Sequence, residues 1–385
     1  MSPTDIEIDR IVADAIDAGI PAIACCALDL AGRRLERYAG EDANDHAIDA
    51  DSAFDLASVT KAACTTSVAA VLVARGLLDL DMPASRVLRC ASDASARELL
   101  MHTSGLAAWE PLFLDAAEDL FGAARPRPGD WKKPRERMRR AILAARPTAS
   151  RGERVYSDLG FMLLGLLLEE VGCDPLDRLF ADLVAIPLDL PELRFFDLLD
   201  GQAPFDGHVV PTGRTRPREG APGQEELVRV PEQKARLVPG EVDDDNAWAM
   251  GGVSGHAGLF GNALALATLG RALMDEARGA DVLGASEVMQ GWFRPAAEGE
   301  RCLGWDVPQG EGSLAGSVLA RGPRGGVMHL GFTGTSLMLD FDRGLSVALL
   351  TNRTLPGRQH VDAIRALRPA LHDAIARLAD QGALS

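Results

Sequence analysis

Apolar residues recur at helical spacing near the start of the chain, where Ile8, Ile11, Val12, Ala15 and Ile16 form one stripe. Thr4 and Glu7 precede it in the order of a capping box, in which each side chain satisfies a free amide at a helix start. Gly19 and Pro21 end this predicted helix. Ala22 to Leu30 is almost wholly apolar and predicts a buried strand, followed by a turn at Ala31-Gly32-Arg33 and a hairpin partner over Leu35–Ala39. Phe54–Leu56 leads into a helix predicted from about Ser58 to Arg75. That segment is rich in Ala and Val, and only Lys61 interrupts its first turns, so most of its circumference must be buried.

Helical patterns continue over Ala96–Met101, Arg135–Ala145 and Leu159–Val171. Residues 200–245 are rich in Pro, Gly and Arg and read as a long surface loop. A turn-rich stretch, Gly251 to Gly258, enters a helix over Ala263–Glu276. Strands return at Ser336–Asp340 and Leu345–Thr351, joined by the hairpin signal Phe341-Asp342-Arg343-Gly344. A last helix, Val361–Leu378, is expected to kink or break at Pro369, which lacks a donor. Strands, then helices, then strands predict an α+β fold, with an antiparallel sheet built from both chain termini, flanked by helices, and an inserted, mainly helical lobe. One domain over 1–385 is expected. Its sheet lobe would be 1–57 plus 290–385, and its helical lobe 58–289, carrying the 200–245 loop.

Composition removes several classes of function. A net charge of −16 argues against a nucleic-acid partner and against docking on anionic membranes. The first ten residues are polar and acidic, without the basic start and apolar stretch of a secretory signal, so a cytoplasmic protein is expected. The longest apolar run, Phe161–Leu168, is too short to span a bilayer. The six cysteines (25, 26, 64, 90, 173 and 302) have no metal spacing and read as free thiols. Neither a metal nor a cofactor is expected: the chain has no His-Glu-x-x-His, no phosphate-cradling loop and no Gly-x-Ser-x-Gly elbow. Asp243-Asp244-Asp245-Asn246 lacks the Gly and distal Glu of a calcium loop, and reads as a solvated acidic loop or cleft rim.

The candidate chemistry begins at Ser58-Val59-Thr60-Lys61. Residues three apart on a helix are neighbours, so the amine stands beside the hydroxyl at the first turn, where free amides favour developing negative charge. A serine hydroxyl becomes a good nucleophile only when a neighbour takes its proton. Lysine can do so if its pKa falls well below about 10.4, and burial pushes it that way. The chain has four lysines (61, 132, 133 and 234) against 36 arginines, yet Lys occupies this apolar stretch, where Arg could not act as a base. On the tetrapeptide alone a plainer reading stands beside this one, with Ser58 capping a helix and Lys61 extending to water.

The run Phe54-Asp-Leu-Ala-Ser58-Val-Thr-Lys61-Ala resembles the nucleophile segment of the serine β-lactamase-like superfamily, which includes class C β-lactamases, D-alanyl-D-alanine carboxypeptidases and related esterases. Glu98-Leu-Leu-Met-His102-Thr-Ser-Gly105-Leu106, Val155-Tyr156-Ser157-Asp158-Leu-Gly160, His329-Leu-Gly331-Phe-Thr-Gly334-Thr and Leu349-Leu-Thr-Asn352-Arg resemble further family segments in the same order. The resemblance implies that Tyr156 lies across a cleft from Lys61, shares its proton traffic and protonates the leaving group. Asp158 stands where many relatives have Asn; it would either hydrogen-bond near Lys61 or the substrate, or cap the following helix. His329-Leu330-Gly331 replaces the Lys-Thr-Gly of typical β-lactamases. A largely neutral histidine there weakens the positive charge available to a substrate carboxylate. Gly331 would let the backbone approach the substrate, and the amides of Ser58 and Phe332 would form the oxyanion hole. His102 and His256 are expected to be structural.

The resulting expectation is a serine hydrolase that cleaves an ester or amide carbonyl through an acyl-enzyme on Ser58. Its substrate would be a small ester, a muropeptide or other peptide, or a β-lactam. The rival is a catalytically idle binding or scaffolding protein that keeps the fold. An intact Ser58, Lys61 and Tyr156 set speaks against it.

Overall fold

A computed structural model describes residues 3–121, 127–199, 207–212, 240–294, 301–308, 312–317, 325–358 and 361–384. Its centre is an antiparallel sheet of five strands. β1 (Ala22–Asp29) and β2 (Arg34–Gly40) come from the start of the chain, and β6 (Gly326–Leu330), β7 (Ser336–Asp340) and β8 (Leu345–Thr351) from its end. The order is β2-β1-β8-β7-β6. The two ends of the chain meet where β1 pairs with β8, Cys25 opposite Leu349 and Ala27 opposite Val347.

Every residue of β1 is buried because both faces of the sheet are covered. Successive side chains on a strand point to opposite faces. Ala24, Cys26 and Leu28 therefore enter one core, and Ile23, Cys25 and Ala27 the other. The adjacent cysteines face different cores as free thiols, and burial pushes the Cys26 thiol up to about 12. The second core is closed by the helices Pro3–Asp17 and Asp362–Asp380, through Ile8, Val12, Leu367, Leu371 and Ile375.

Three local expectations give way to tertiary contacts. The first helix already includes Pro3 and Thr4, so the capping box does not form. Thr4 instead donates to Gln381 and Glu7 accepts from Arg377, which clamps the first helix to the last. The last helix runs through Pro369 unbroken for 19 residues, because packing on the first helix and the sheet outweighs the one lost hydrogen bond. The helix after Ser58 widens to a looser turn over Lys61–Thr66 before regular α-helix over Ser67–Ala74. There Thr66 and Ser67 donate back to the carbonyls of Lys61 and Ala62, five residues earlier.

The helices Ser67–Ala74, Lys132–Ala144 and Asp158–Gly172 build the inserted part, with Leu163, Leu164 and Leu168 completely buried. A small sheet of β3 (Phe54–Asp55), β5 (Leu259–Gly261) and β4 (Arg194–Phe195), in the order β3-β5-β4, links this part to the segment that carries Ser58. The helix Ala263–Glu276 lies within residues 58–289, yet it packs on β1, β7 and β8 of the large sheet. Of the 200–245 loop, 207–212 and 240–245 are among the described residues, and the remainder lies outside them. No helix among the described residues is long and apolar enough to cross a membrane.

Gly270 explains how the helix Ala263–Glu276 comes so near the sheet. A Cβ there would stand 2.7 Å from Leu339 Cδ2 and closer still to Ser346 Oγ. Alanine adds up to about 1 kcal/mol of helix propensity, whereas overpacking costs typically about 1–3 kcal/mol. Gly270→Ala is therefore expected to lower stability, measured as a reduced denaturation midpoint with an unchanged slope. A raised midpoint would mean that the contact is looser than described.

Candidate active site

β3 and the turn after it place the serine. Asp55 is fully buried; its Oδ1 accepts the Ala57 amide at 2.8 Å and its Oδ2 the Asp243 amide at 2.6 Å. These bonds hold Ala57 at a φ of 47°, a left-handed conformation uncommon for a residue with a Cβ. Ser58 follows it, half-buried, on the wall of a cleft of about 810 Å³.

Lys61 is completely buried. Its Nζ lies 2.8 Å from Ser58 Oγ, 3.1 Å from the His256 carbonyl and 2.7 Å from Asp158 Oδ1. An ammonium has three protons, and these are three acceptors. The expectation that burial lowers the Lys61 pKa requires correction. Burial does push it down, but the Asp158 carboxylate and Tyr156 outweigh that effect, and the net direction is upward. At rest Lys61 is a cation.

The helix Asp158–Gly172 delivers Asp158. Ser157 is its cap, accepting the Gly160 amide at 2.9 Å, so of the two readings of Asp158 the geometry has the one beside Lys61. Tyr156 precedes this cap, 40% exposed as a residue on the cleft wall and with its hydroxyl toward Ser58 and Lys61. Burial of the hydroxyl raises its pKa, against the lowering influence of Lys61. His102 packs beneath, its ring centroid 4.5 Å from that of Tyr156, and its Nδ1 accepts the Ser157 amide at 2.9 Å. His256 is buried between Ser254 Oγ, 2.9 Å from Nδ1, and Asp244 Oδ1, 2.8 Å from Nε2.

The opposite wall is the end of β6. His329 is buried, its Nδ1 3.1 Å from the Leu330 carbonyl and its Nε2 without a hydrogen-bond partner among the described residues. Burial, with the charges of Lys61 and Arg301, holds its pKa well below the usual range, so it lines the cleft as a neutral ring. With Nδ1–H donating to the carbonyl, Nε2 is an acceptor. At Gly331 the expected close approach is to protein. A Cβ would stand 2.6 Å from the Leu56 carbonyl and closer still to Thr335 Oγ1. Thr333 and Thr335 donate to the Asp55 and Leu56 carbonyls at 2.8 and 2.9 Å, joining this turn to the one that carries Ser58. Among the described residues the amides of Ser58 and Phe332 have no protein acceptor, and both residues line the cleft.

Two arginines were not singled out from the sequence. Arg368 NH2 donates to the Gly331 and Thr335 carbonyls at 2.7 and 2.9 Å. Burial and the charge of Arg353 push its pKa down to about 9. The Gly331 carbonyl and the Phe332 amide belong to one peptide unit, so a guanidinium on the oxygen polarises the N–H into a better donor. The available signal was an Arg within the apolar stripe Ile364, Leu367, Leu371 and Ile375. Arg301 is buried 5.9 Å from the Tyr156 ring and pairs with Asp306. The Asp243–Asn246 cluster is a wall rather than a solvated loop. Asp243 and Asp245 each lie 3.1 Å from Arg358, and Asp244 caps the helix Asp245–Ala249.

An antiparallel sheet closed by both chain ends, a helical insertion over it, and Ser, Lys and Tyr meeting between them define the class of β-lactamase-fold proteins. The chain belongs to the Beta-lactamase family, whose family model matches residues 8–372; members are generally serine hydrolases. A Salmonella gallinarum protein named "Putative D-alanyl-D-alanine carboxypeptidase" is 27% identical over 377 residues, covering 90% of this chain and 82% of that protein. Among solved structures, unliganded simvastatin synthase from Aspergillus terreus superposes with a TM-score of 0.67 at 18% identity, covering 99% of this chain and 100% of that one. The octameric penicillin-binding protein homologue of Pyrococcus abyssi also gives 0.67 at 18% identity, covering 99% of this chain and 78% of that one.

Asp158→Asn is expected to lower the Lys61 pKa, because the outweighing charge disappears while burial stays. With four lysines in the chain, NMR titration of their Cε signals can follow Lys61 directly. An unchanged titration would refute control by Asp158.

Proposed function

We propose that this chain is a serine hydrolase that cleaves an ester or amide carbonyl through an acyl-enzyme on Ser58. The observation that carries the reading is the 2.8 Å contact between Lys61 Nζ and Ser58 Oγ at the wall of an open cleft. Ser58 Oγ attacks the carbonyl carbon, and its proton passes to Lys61 in the neutral-amine form. The tetrahedral oxyanion takes hydrogen bonds from the Ser58 and Phe332 amides. Arg368 acts as a positioning residue for the second of these. Tyr156 and Lys61 return the proton to the leaving alcohol or amine as the carbonyl–heteroatom bond breaks. Water then adds to the acyl-enzyme by the same route and releases the acid.

Lys61 is protonated at rest, so its ionisation is part of the barrier. Turnover is expected to rise with pH as the neutral amine becomes populated, and Asp158→Asn should move that rising limb toward lower pH.

The substrate candidates are small esters, muropeptide or D-alanyl-D-alanine amides, and β-lactams. The names of the relatives support a peptide or β-lactam-like substrate. The neutral ring of His329 at the cleft lining offers no positive charge to a substrate carboxylate, which favours an uncharged group there.

A fluorophosphonate probe should leave a covalent adduct on Ser58 by mass spectrometry, absent in Ser58→Ala. Lys61→Ala is expected to lower hydrolysis of a p-nitrophenyl ester by roughly 10²–10⁴-fold. Near-normal turnover in that variant would refute the assigned base.

A further inference from the structure

Outside the cleft lining, a second polar cluster is assembled from distant parts of the chain. Asp42 and His46 lie in the loop after β2, and His208 in the segment 207–212. Asp42 is buried, His208 half-buried and His46 exposed.

Ser52 fixes the state of His208. Its hydroxyl donates its single proton to Asp49 Oδ1 at 2.8 Å and accepts the Asp49 amide at 3.0 Å. The remaining lone pair faces His208 Nδ1 at 3.0 Å, so Nδ1 carries a proton and donates it. A neutral His208 then turns a bare Nε2 toward Asp42 Oδ2, 2.9 Å away. Two lone pairs at that separation repel unless a positive charge joins them. Asp42 Oδ1 is already occupied by the amides of Asn44 and His46, at 2.7 and 3.0 Å, which leaves Oδ2 for that charge. His46 brings Nδ1 to 3.4 Å from the same Oδ2.

We propose that Asp42, His46 and His208 bind a divalent transition-metal ion of the zinc type. Two imidazoles and a carboxylate are a donor set suited to such an ion. Bonds of about 2.0–2.1 Å in a tetrahedron place ligand atoms about 3.3 Å apart. The two pairs that share Asp42 Oδ2 are 2.9 and 3.4 Å apart, and all three donors lie within 4.8 Å of one another. The Ser52 bond orients the ring, as a partner on the far nitrogen of a metal-bound histidine does. Exposure of His46 leaves the fourth position open to water.

The bound ion fastens the segment 207–212 to the loop after β2. That segment lies beside Ala53 through Val209, ahead of the nucleophile turn. It also accepts hydrogen bonds from Asn352 and Thr354 at the end of β8, through the carbonyls of Pro211 and Thr212. The ion is therefore a clamp on the frame of the site and takes no part in the reaction.

The full chain, stripped with EDTA and dialysed, is titrated with zinc chloride by calorimetry, and its thermal unfolding is followed with and without zinc. One zinc per chain is expected, together with a midpoint a few degrees higher at hundredfold excess over Kd. Both should be lost in His46→Ala, whose side chain is exposed and whose removal leaves the fold intact, and in His208→Gln. Cobalt in place of zinc should give the visible absorption of a four-coordinate site in the wild type alone. Absence of zinc binding, or binding unchanged in both variants, would overturn the proposal and leave the cluster as an Asp42–His208 ion pair.

Discussion

A fully buried ammonium sets the terms for this candidate site. Lys61 must have every proton accepted, since an unpaired buried charge costs several kcal/mol. Its acceptors come from three separate elements: Ser58 on the turn after β3, His256 in the Gly-rich stretch before β5, and Asp158 at the head of the helix Asp158–Gly172. Satisfying one side chain thus fixes three segments against one another. The same requirement decides the protonation state, because Asp158 and Tyr156 together outweigh the desolvation that would have neutralised the amine.

The wall facing that charge is held by different means. Thr333 and Thr335 bond to the carbonyls of Asp55 and Leu56, and Gly331 leaves room for the contact. Arg368 reaches from the last helix to the carbonyl of the same turn. A helix formed near the end of the chain therefore supports a peptide group that lines the cleft opposite the serine. His329 remains uncharged because two cations and burial act on it together. The cleft so combines a closely held cation on one side with a neutral imidazole on the other.

Much of this was legible in the order of residues. The apolar runs of β1 and β8, the helical patterns of the first and last helices, and the Ser58–Lys61 spacing all follow from short-range geometry, and they locate the sheet, its covering helices and the turn that carries Ser58. Thr4 and Glu7 misled because they satisfy a local rule, whereas their partners, Gln381 and Arg377, lie at the other end of the chain. Of the kink or break expected at Pro369, the break does not occur, because its local cost is offset by packing along a helix of 19 residues.

The sequence by itself determined which residues could do chemistry, since only certain side chains accept a proton or attack a carbonyl, and periodicity states which of them share a face. Tertiary structure alone decided the charge on Lys61, the neutrality of His329, the partner of Asp158 and the meeting of Asp42 with His208. Those properties depend on burial and on the distance between groups remote in sequence. Electrostatic energies in a low-dielectric interior change steeply over a few ångströms, and no local pattern encodes such distances.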